Sequence, residues 1–203
     1  NGSMNASVAY IMRRVQGFEP QEAYDGLGIF CGDDGLVPGV TIQTVQEVCD
    51  NLGLKAKPVI RQRNMSVHFL SRTYSPSVWN GRLDSMCDVK RAAIKLHLTT
   101  IKQRAQSYTA EKFFSYYLND KNTPIIGDIV SGYLNLYGLE NVTRVAQDAT
   151  YWSTLGVFYP NGNADKWMEN ELADIEDVIA HTRATIKDWK IEDYFKHPPL
   201  GEF

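Results

Sequence analysis

The sequence predicts an α+β fold in which short antiparallel hairpins are backed by helices and followed by a mostly helical region. Three observations predict it. In the first third of the chain, short apolar runs are bounded by clusters of Gly, Pro, Asn and Asp, the signature of brief strands and tight turns. Apolar residues at helical spacing flank those runs. Beyond Asp84 the strand signals fade and helical spacing dominates, so elements of the two types are segregated along the chain.

The elements follow in order. Asn1-Gly2-Ser3 carries helix-start chemistry, and Val8, Ile11, Met12 and Val15 form one apolar face that Gly17 and Pro20 end. A chain that enters a helix this directly, without an initiator Met, is expected to be a segment of a longer polypeptide. Tyr24 to Gly28 leads into Ile29-Phe30-Cys31-Gly32-Asp33-Asp34-Gly35-Leu36-Val37, where Asp-Gly between apolar runs predicts a hairpin with both acids at its tip. Pro38-Gly39 makes a loop. Thr41 then caps a helix whose stripe is Val45, Val48, Cys49 and Leu52, terminated by Gly53. Residues 57–60 and 67–72 read as paired strands joined by a turn around Asn64. Helices are expected over 89–98, 110–118, 125–137 and 167–187, the last with Met168, Leu172, Ile175, Ile179, Thr182 and Ile186 on one face. The change of pattern sets a boundary near residue 80, and the tail 196–203 reads as an extended linker.

Composition narrows the classes of function. The 203 residues are 43% hydrophobic and 22% charged, enough to bury a core as one large domain or as a domain with an appendage. No apolar run approaches the roughly 18 residues of a membrane helix, and no basic-then-apolar leader opens the sequence. Direct membrane insertion by this segment is therefore not expected. Cys31, Cys49 and Cys87 are odd in number and lack metal-ligand spacing, which argues against a disulfide framework or zinc site and for a reducing compartment. His68, His97, His181 and His197 are scattered without ligand spacing, and neither Ser3, Ser7 nor any of the cysteines has a sequence-local base that would make it a nucleophile. Tyr116, Tyr117, Tyr133, Tyr137, Tyr151, Trp152 and Trp167 could stack on bases, but in a helical region they suit a core. The net charge of −3 hides a basic middle: residues 50–112 hold twelve Lys or Arg against four acids, a distribution suited to a phosphate backbone or to an ordinary solvated surface.

Asp33 and Asp34 are the chemistry-bearing pair. Mg²⁺ prefers hard oxygen ligands and is held by one or two carboxylates together with substrate phosphates, so adjacent acids on an exposed turn can form part of a phosphoryl-transfer site. By themselves they can equally be a surface turn.

Their neighbours carry a resemblance. A Gly-Ser helix start, a Gly-Asp-Asp hairpin, a Gly-terminated helix with lysines after it, and the hairpin Phe69-Leu70-Ser71-Arg72 resemble motifs B, C, D and E of viral RNA-dependent RNA polymerases, in that order. The run Phe69-Leu70-Ser71-Arg72-Thr73-Tyr74, followed by Lys95-Leu96-His97-Leu98-Thr99-Thr100, is most similar to the replicases of nodaviruses and their relatives. The resemblance implies a partial polymerase palm over residues 1–80, a mostly α-helical thumb over 81–195 and a tail or linker over 196–203.

It also implies roles. Asp33 is the principal ligand of two divalent ions, Mg²⁺ (or Mn²⁺), shared with an acid from motif A, and Asp34 is a second ligand; two-metal chemistry places the ions roughly 3.5–4 Å apart. Gly32 and Gly35 leave room for the primer end. Gly2, Ser3 and Ser7 match the template-positioning motif, but Asn1 stands where many relatives have Ser, and Ala6 and Tyr10 stand at later Thr and Asn positions. Reading a ribose 2′-hydroxyl requires hydrogen bonds, which leaves Asn1 or Asn5 to substitute. Lys55 and Lys57 are alternative general acids for the leaving pyrophosphate. Phe69 and Leu70 support the primer strand, with Arg72 near backbone phosphate. The implied partners are template and primer RNA, ribonucleoside triphosphates and the remaining replicase polypeptide with motif A and fingers; read by itself, the acidic face of the last helix suits solvent or, in a homo-oligomer, contact with a neighbouring subunit. The implied location is the cytoplasmic side of a host organelle membrane, the mitochondrial outer membrane for a nodavirus-like protein. A non-catalytic RNA-binding or oligomerisation module of a replication complex is the alternative. A reverse transcriptase or nuclease is disfavoured by Cys31-Gly32 before the paired acids.

Overall fold

The computed structural model describes residues 2–96, 105–140 and 158–187. Asn1, His97, Tyr151, Trp152, His197, the end of the helix expected over 89–98 and the tail from Lys196 lie outside them. The fold is α+β, with small antiparallel sheets. It divides into two compact units at Leu70 and Ser71, earlier than the boundary near residue 80.

The first unit opens with α1 (Gly2–Val15). Its buried stripe is Ala9, Met12 and Arg13, whereas Ile11 and Val15 stay exposed, so the inward face is rotated from the one expected. Pro20 does not merely end that helix. It sits in the first turn of a short helix, α2 (Pro20–Asp25), where its missing N–H costs nothing, and the Glu22 carboxylate accepts the Glu19 amide at 3.2 Å. Strands β1 (Ile29–Cys31) and β2 (Asp34–Leu36) form the expected hairpin. Helix α3 (Ile42–Asn51) starts where Thr41 Oγ1 accepts the Thr44 amide at 3.2 Å. It stops in a Schellman arrangement: Leu54 N donates to the Cys49 carbonyl and Gly53 N to that of Asp50, with Gly53 at φ +67°. Leu54 then packs with Met12, Val48 and Cys49, while Leu52 points outward. The strand expected over 57–60 does not form: Pro58 has no amide to donate, and Val59 and Ile60 are exposed. The segment 67–72 is not one strand but two, β3 (Val67–Phe69) and β4 (Arg72–Tyr74), interrupted by left-handed backbone at Leu70 and Ser71.

In the second unit β4 pairs antiparallel with β5 (Ser85–Cys87), in the register Arg72↔Cys87, Thr73↔Met86 and Tyr74↔Ser85. The helices are α4 (Val89–Leu96), α5 (Ala105–Asp120) and α6 (Ile126–Tyr137). Phe113 and Tyr133 stack at 3.9 Å in the main core, beside Leu96, Ile126 and Val130, a pair worth about 0.5–1.5 kcal/mol beyond its burial. The single helix expected over 167–187 breaks into α7 (Trp167–Glu171), a 3₁₀ turn (Ala173–Ile175) and α8 (Glu176–Ile186). Trp167 and Met168 pack with Met86, whereas Ile179 belongs to the main core, and Leu172 at the break touches both clusters. A straight helix cannot serve two cores.

The cysteines differ sharply. Cys31 is exposed, whereas burial first, and for Cys87 the nearby Asp120 charge, push the Cys49 and Cys87 thiols up. Thiol reagents at neutral pH are expected to modify Cys31 in the native chain and the other two only on unfolding; mass spectrometry of labelled peptides before and after adding denaturant checks this.

Candidate functional site

The hairpin pairs Ile29 with Leu36, Phe30 with Gly35 and Cys31 with Asp34, so the loop is the two residues Gly32 and Asp33. Gly32 has φ +64° and Asp33 stays at negative φ, which is the type II′ turn that matches strand twist. Only Asp33 therefore stands at the tip. Asp34 is the first residue of β2, directly opposite Cys31, and both carboxylates are exposed. Gly35 is not a turn residue. It lies in the strand under the Phe30 ring, where a Cβ would sit 2.8 Å from Cδ1. Around Gly32, by contrast, nothing lies within 4 Å of such an atom.

Helix α1 meets this turn through Asn5, whose Nδ2 donates to the Gly32 carbonyl at 2.7 Å. Gly2 and Ser3 are already helical rather than in a loop, and the Ser7 hydroxyl donates to the Ser3 carbonyl at 3.0 Å. Arg13 ties the same helix to the segments on either side of the hairpin. It donates to the carbonyls of Pro38 at 2.8 Å and Glu22 at 3.3 Å and lies over the Phe18 ring at 4.1 Å. Sequence reasoning missed Arg13, whose only signal is a basic residue next to Met12 in an otherwise apolar stripe.

Lys55 and Lys57 are both exposed in an irregular segment. Phe69 is half-buried at the end of β3, which lies near β2, while Leu70 is exposed in the left-handed turn and not part of a strand. Asp33, Asp34 and Asn5 are thus brought together in the first unit. Among the described residues no group of three or more His, Cys, Asp and Glu side chains is placed to hold a metal ion, so Asp33 and Asp34 could at most contribute part of a coordination shell. Hard oxygen donors at an open tip fit Mg²⁺ in that capacity.

Arg72 corrects an expectation. It is buried, and its guanidinium grips both oxygens of buried Asp120 at 3.0 Å, while Nε donates to Ser85 Oγ at 2.9 Å and the Tyr159 ring covers it at 4.3 Å. It faces a carboxylate inside the second unit, not a phosphate. Asp120 also accepts the Cys87 amide at 2.8 Å and the Thr123 hydroxyl at 3.1 Å. Asn161 joins the same cluster by donating to the Ser85 carbonyl and Thr123 Oγ1.

No protein-family model matches the chain. Among curated proteins, it is 31% identical over 211 residues to the RNA-directed RNA polymerase of Greasy grouper nervous necrosis virus, covering 99% of this chain and 21% of that protein. Similarity to the RNA-directed RNA polymerase of Striped jack nervous necrosis virus is 31% over 186 residues (89% of this chain, 18% of that protein). To that of Flock house virus it is 26% over 164 residues (76% and 16%). The chain spans about a fifth of the length of these relatives.

Proposed function

We propose, from a chain similar along almost its whole length to a segment of nodavirus RNA-directed RNA polymerases, that it is the portion of such an enzyme carrying motifs B to E of the palm over residues 1–80 and the thumb over 81–195. The reaction is nucleotidyl transfer on an RNA template, with ribonucleoside triphosphates as substrates. One observation carries this reading: the Asp33 carboxylate, in the one stretch matching the Gly-Asp-Asp motif, stands exposed at the tip of a tight hairpin.

Asp33 and Asp34 hold the cation together with an acid supplied by another part of the polypeptide. A bound Mg²⁺ or Mn²⁺ ion supplies Lewis-acid activation of the primer hydroxyl and neutralisation of the leaving pyrophosphate. The open space around Gly32 admits the primer end. Lys55 or Lys57 delivers a proton to pyrophosphate, each being an exposed ammonium with three donors. Phe69 supports the primer. No helix among the described residues is long and apolar enough to cross a membrane; attachment to the cytoplasmic side of a host organelle membrane falls to other parts of the replicase.

Primer extension tests the reading. The 203-residue chain alone is expected to incorporate no nucleotide, and the full-length polymerase carrying this segment to extend a primed template in Mg²⁺. Robust incorporation by the chain alone would overturn the need for a partner acid. A full-length protein that binds RNA with steep salt dependence, never extends it and ignores substitution of Asp33 and Asp34 would establish the non-catalytic alternative.

A further inference from the structure

We infer that Asn5 is a positioning residue that locks the acidic hairpin tip in one of two turn conformations. The carbonyl of Gly32 belongs to the central peptide of the turn, the unit that flips between type II′ and type I′ geometry. Type I′ requires positive φ at both loop residues. Gly32 tolerates either form, with nothing crowding it, and Asp is among the residues that accept left-handed backbone. The loop residues by themselves favour type II′, with Gly first, but leave type I′ within reach.

Helix α1 turns that preference into a lock. Asn5 Nδ2 donates to that carbonyl at 2.7 Å across 27 residues of sequence, and a carbonyl can only accept, which fixes the orientation of the amide. Flipping the peptide breaks this bond and turns Asp33 into the left-handed region, re-aiming its carboxylate. With one amide N–H committed to the turn, Asn5 sets where Asp33 points. The lock stands on geometry; its catalytic consequence rests on the proposed role of Asp33.

Asn5→Ala removes the donor without harming α1, since Ala is the best helix former. In the 203-residue chain, hydrogen exchange at the Cys31 and Asp34 amides, the pair that closes the loop, is expected to accelerate about two- to tenfold, the equivalent of one hydrogen bond. The α3 amides stay unchanged, and Asn5→Gln restores part of the protection. In the full-length polymerase the same variant is expected to raise the Mg²⁺ concentration for half-maximal extension by a similar factor, leaving discrimination between ribo- and deoxyribonucleotides intact. Unchanged exchange at Cys31 and Asp34 would overturn the lock. Lost ribose discrimination at an unchanged Mg²⁺ requirement would assign Asn5 to the nucleotide instead. Full extension by Asp33→Asn would remove the catalytic reading alone, because the exchange result does not depend on it.

Discussion

Asp33→Asn in the full-length polymerase carrying this segment is expected to lower primer extension by at least about a thousandfold while leaving the fold intact. The substitution keeps the shape of the side chain and removes the anionic oxygen that a hard cation requires. Metal stabilisation of transition-state charge is worth several kcal/mol, and each 1.36 kcal/mol is a factor of ten in rate. The folded state has little to lose. Asp33 is exposed at a turn tip, where Asn is equally at home, and surface changes of this kind usually stay within about 0.5 kcal/mol. Asp34→Asn is expected to cost less, because Asp34 belongs to the ladder opposite Cys31 and not to the tip. Single-turnover extension together with thermal unfolding of both variants checks the ordering. Near wild-type extension by Asp33→Asn would refute the metal assignment.

Arg72→Ala is the substitution expected to do most damage to stability. It strands the Asp120 carboxylate, only 2% exposed, without its cation. Breaking a buried, hydrogen-bonded ion pair by removing one partner costs about 3–5 kcal/mol, a large share of the 5–15 kcal/mol by which domains are usually stable. Asp120→Asn discriminates charge from hydrogen bonding, since its remaining oxygen can still accept the Cys87 amide, and it is expected to be milder than Asp120→Ala. Urea unfolding followed by circular dichroism measures both. A cost for Arg72→Ala below about 1 kcal/mol would mean that the guanidinium is solvated and free to meet phosphate, as the resemblance implied.

Several elements were legible in the residues because they are decided locally. Thr41 before an apolar stripe and Gly53 after it are sufficient to start and stop α3, since capping and left-handed backbone are properties of a few adjacent residues. The hairpin at Asp33 was legible for the same reason. Its exact loop was not: both acids were expected at the tip, whereas the pairing of Cys31 with Asp34 makes Gly32 and Asp33 the loop, one residue earlier, with Gly35 in the strand under the Phe30 ring. The break at Leu172 was hidden because the apolar repeat runs unbroken through it, and periodicity cannot reveal that its two ends pack into different cores.

The sequence by itself determined the class of fold, the start and stop of α3 and the hairpin that carries the paired acids, because turn chemistry, capping and apolar spacing act within a few residues of one another. Only the tertiary structure decided which of those acids stands at the tip, that Asn5 holds the tip in place, and that Arg72 is spent on Asp120. Those are contacts across 27 and 48 residues. The free energy of a donor or a charge depends on what the folded chain brings within about 3 Å of it, and no local pattern encodes that neighbour.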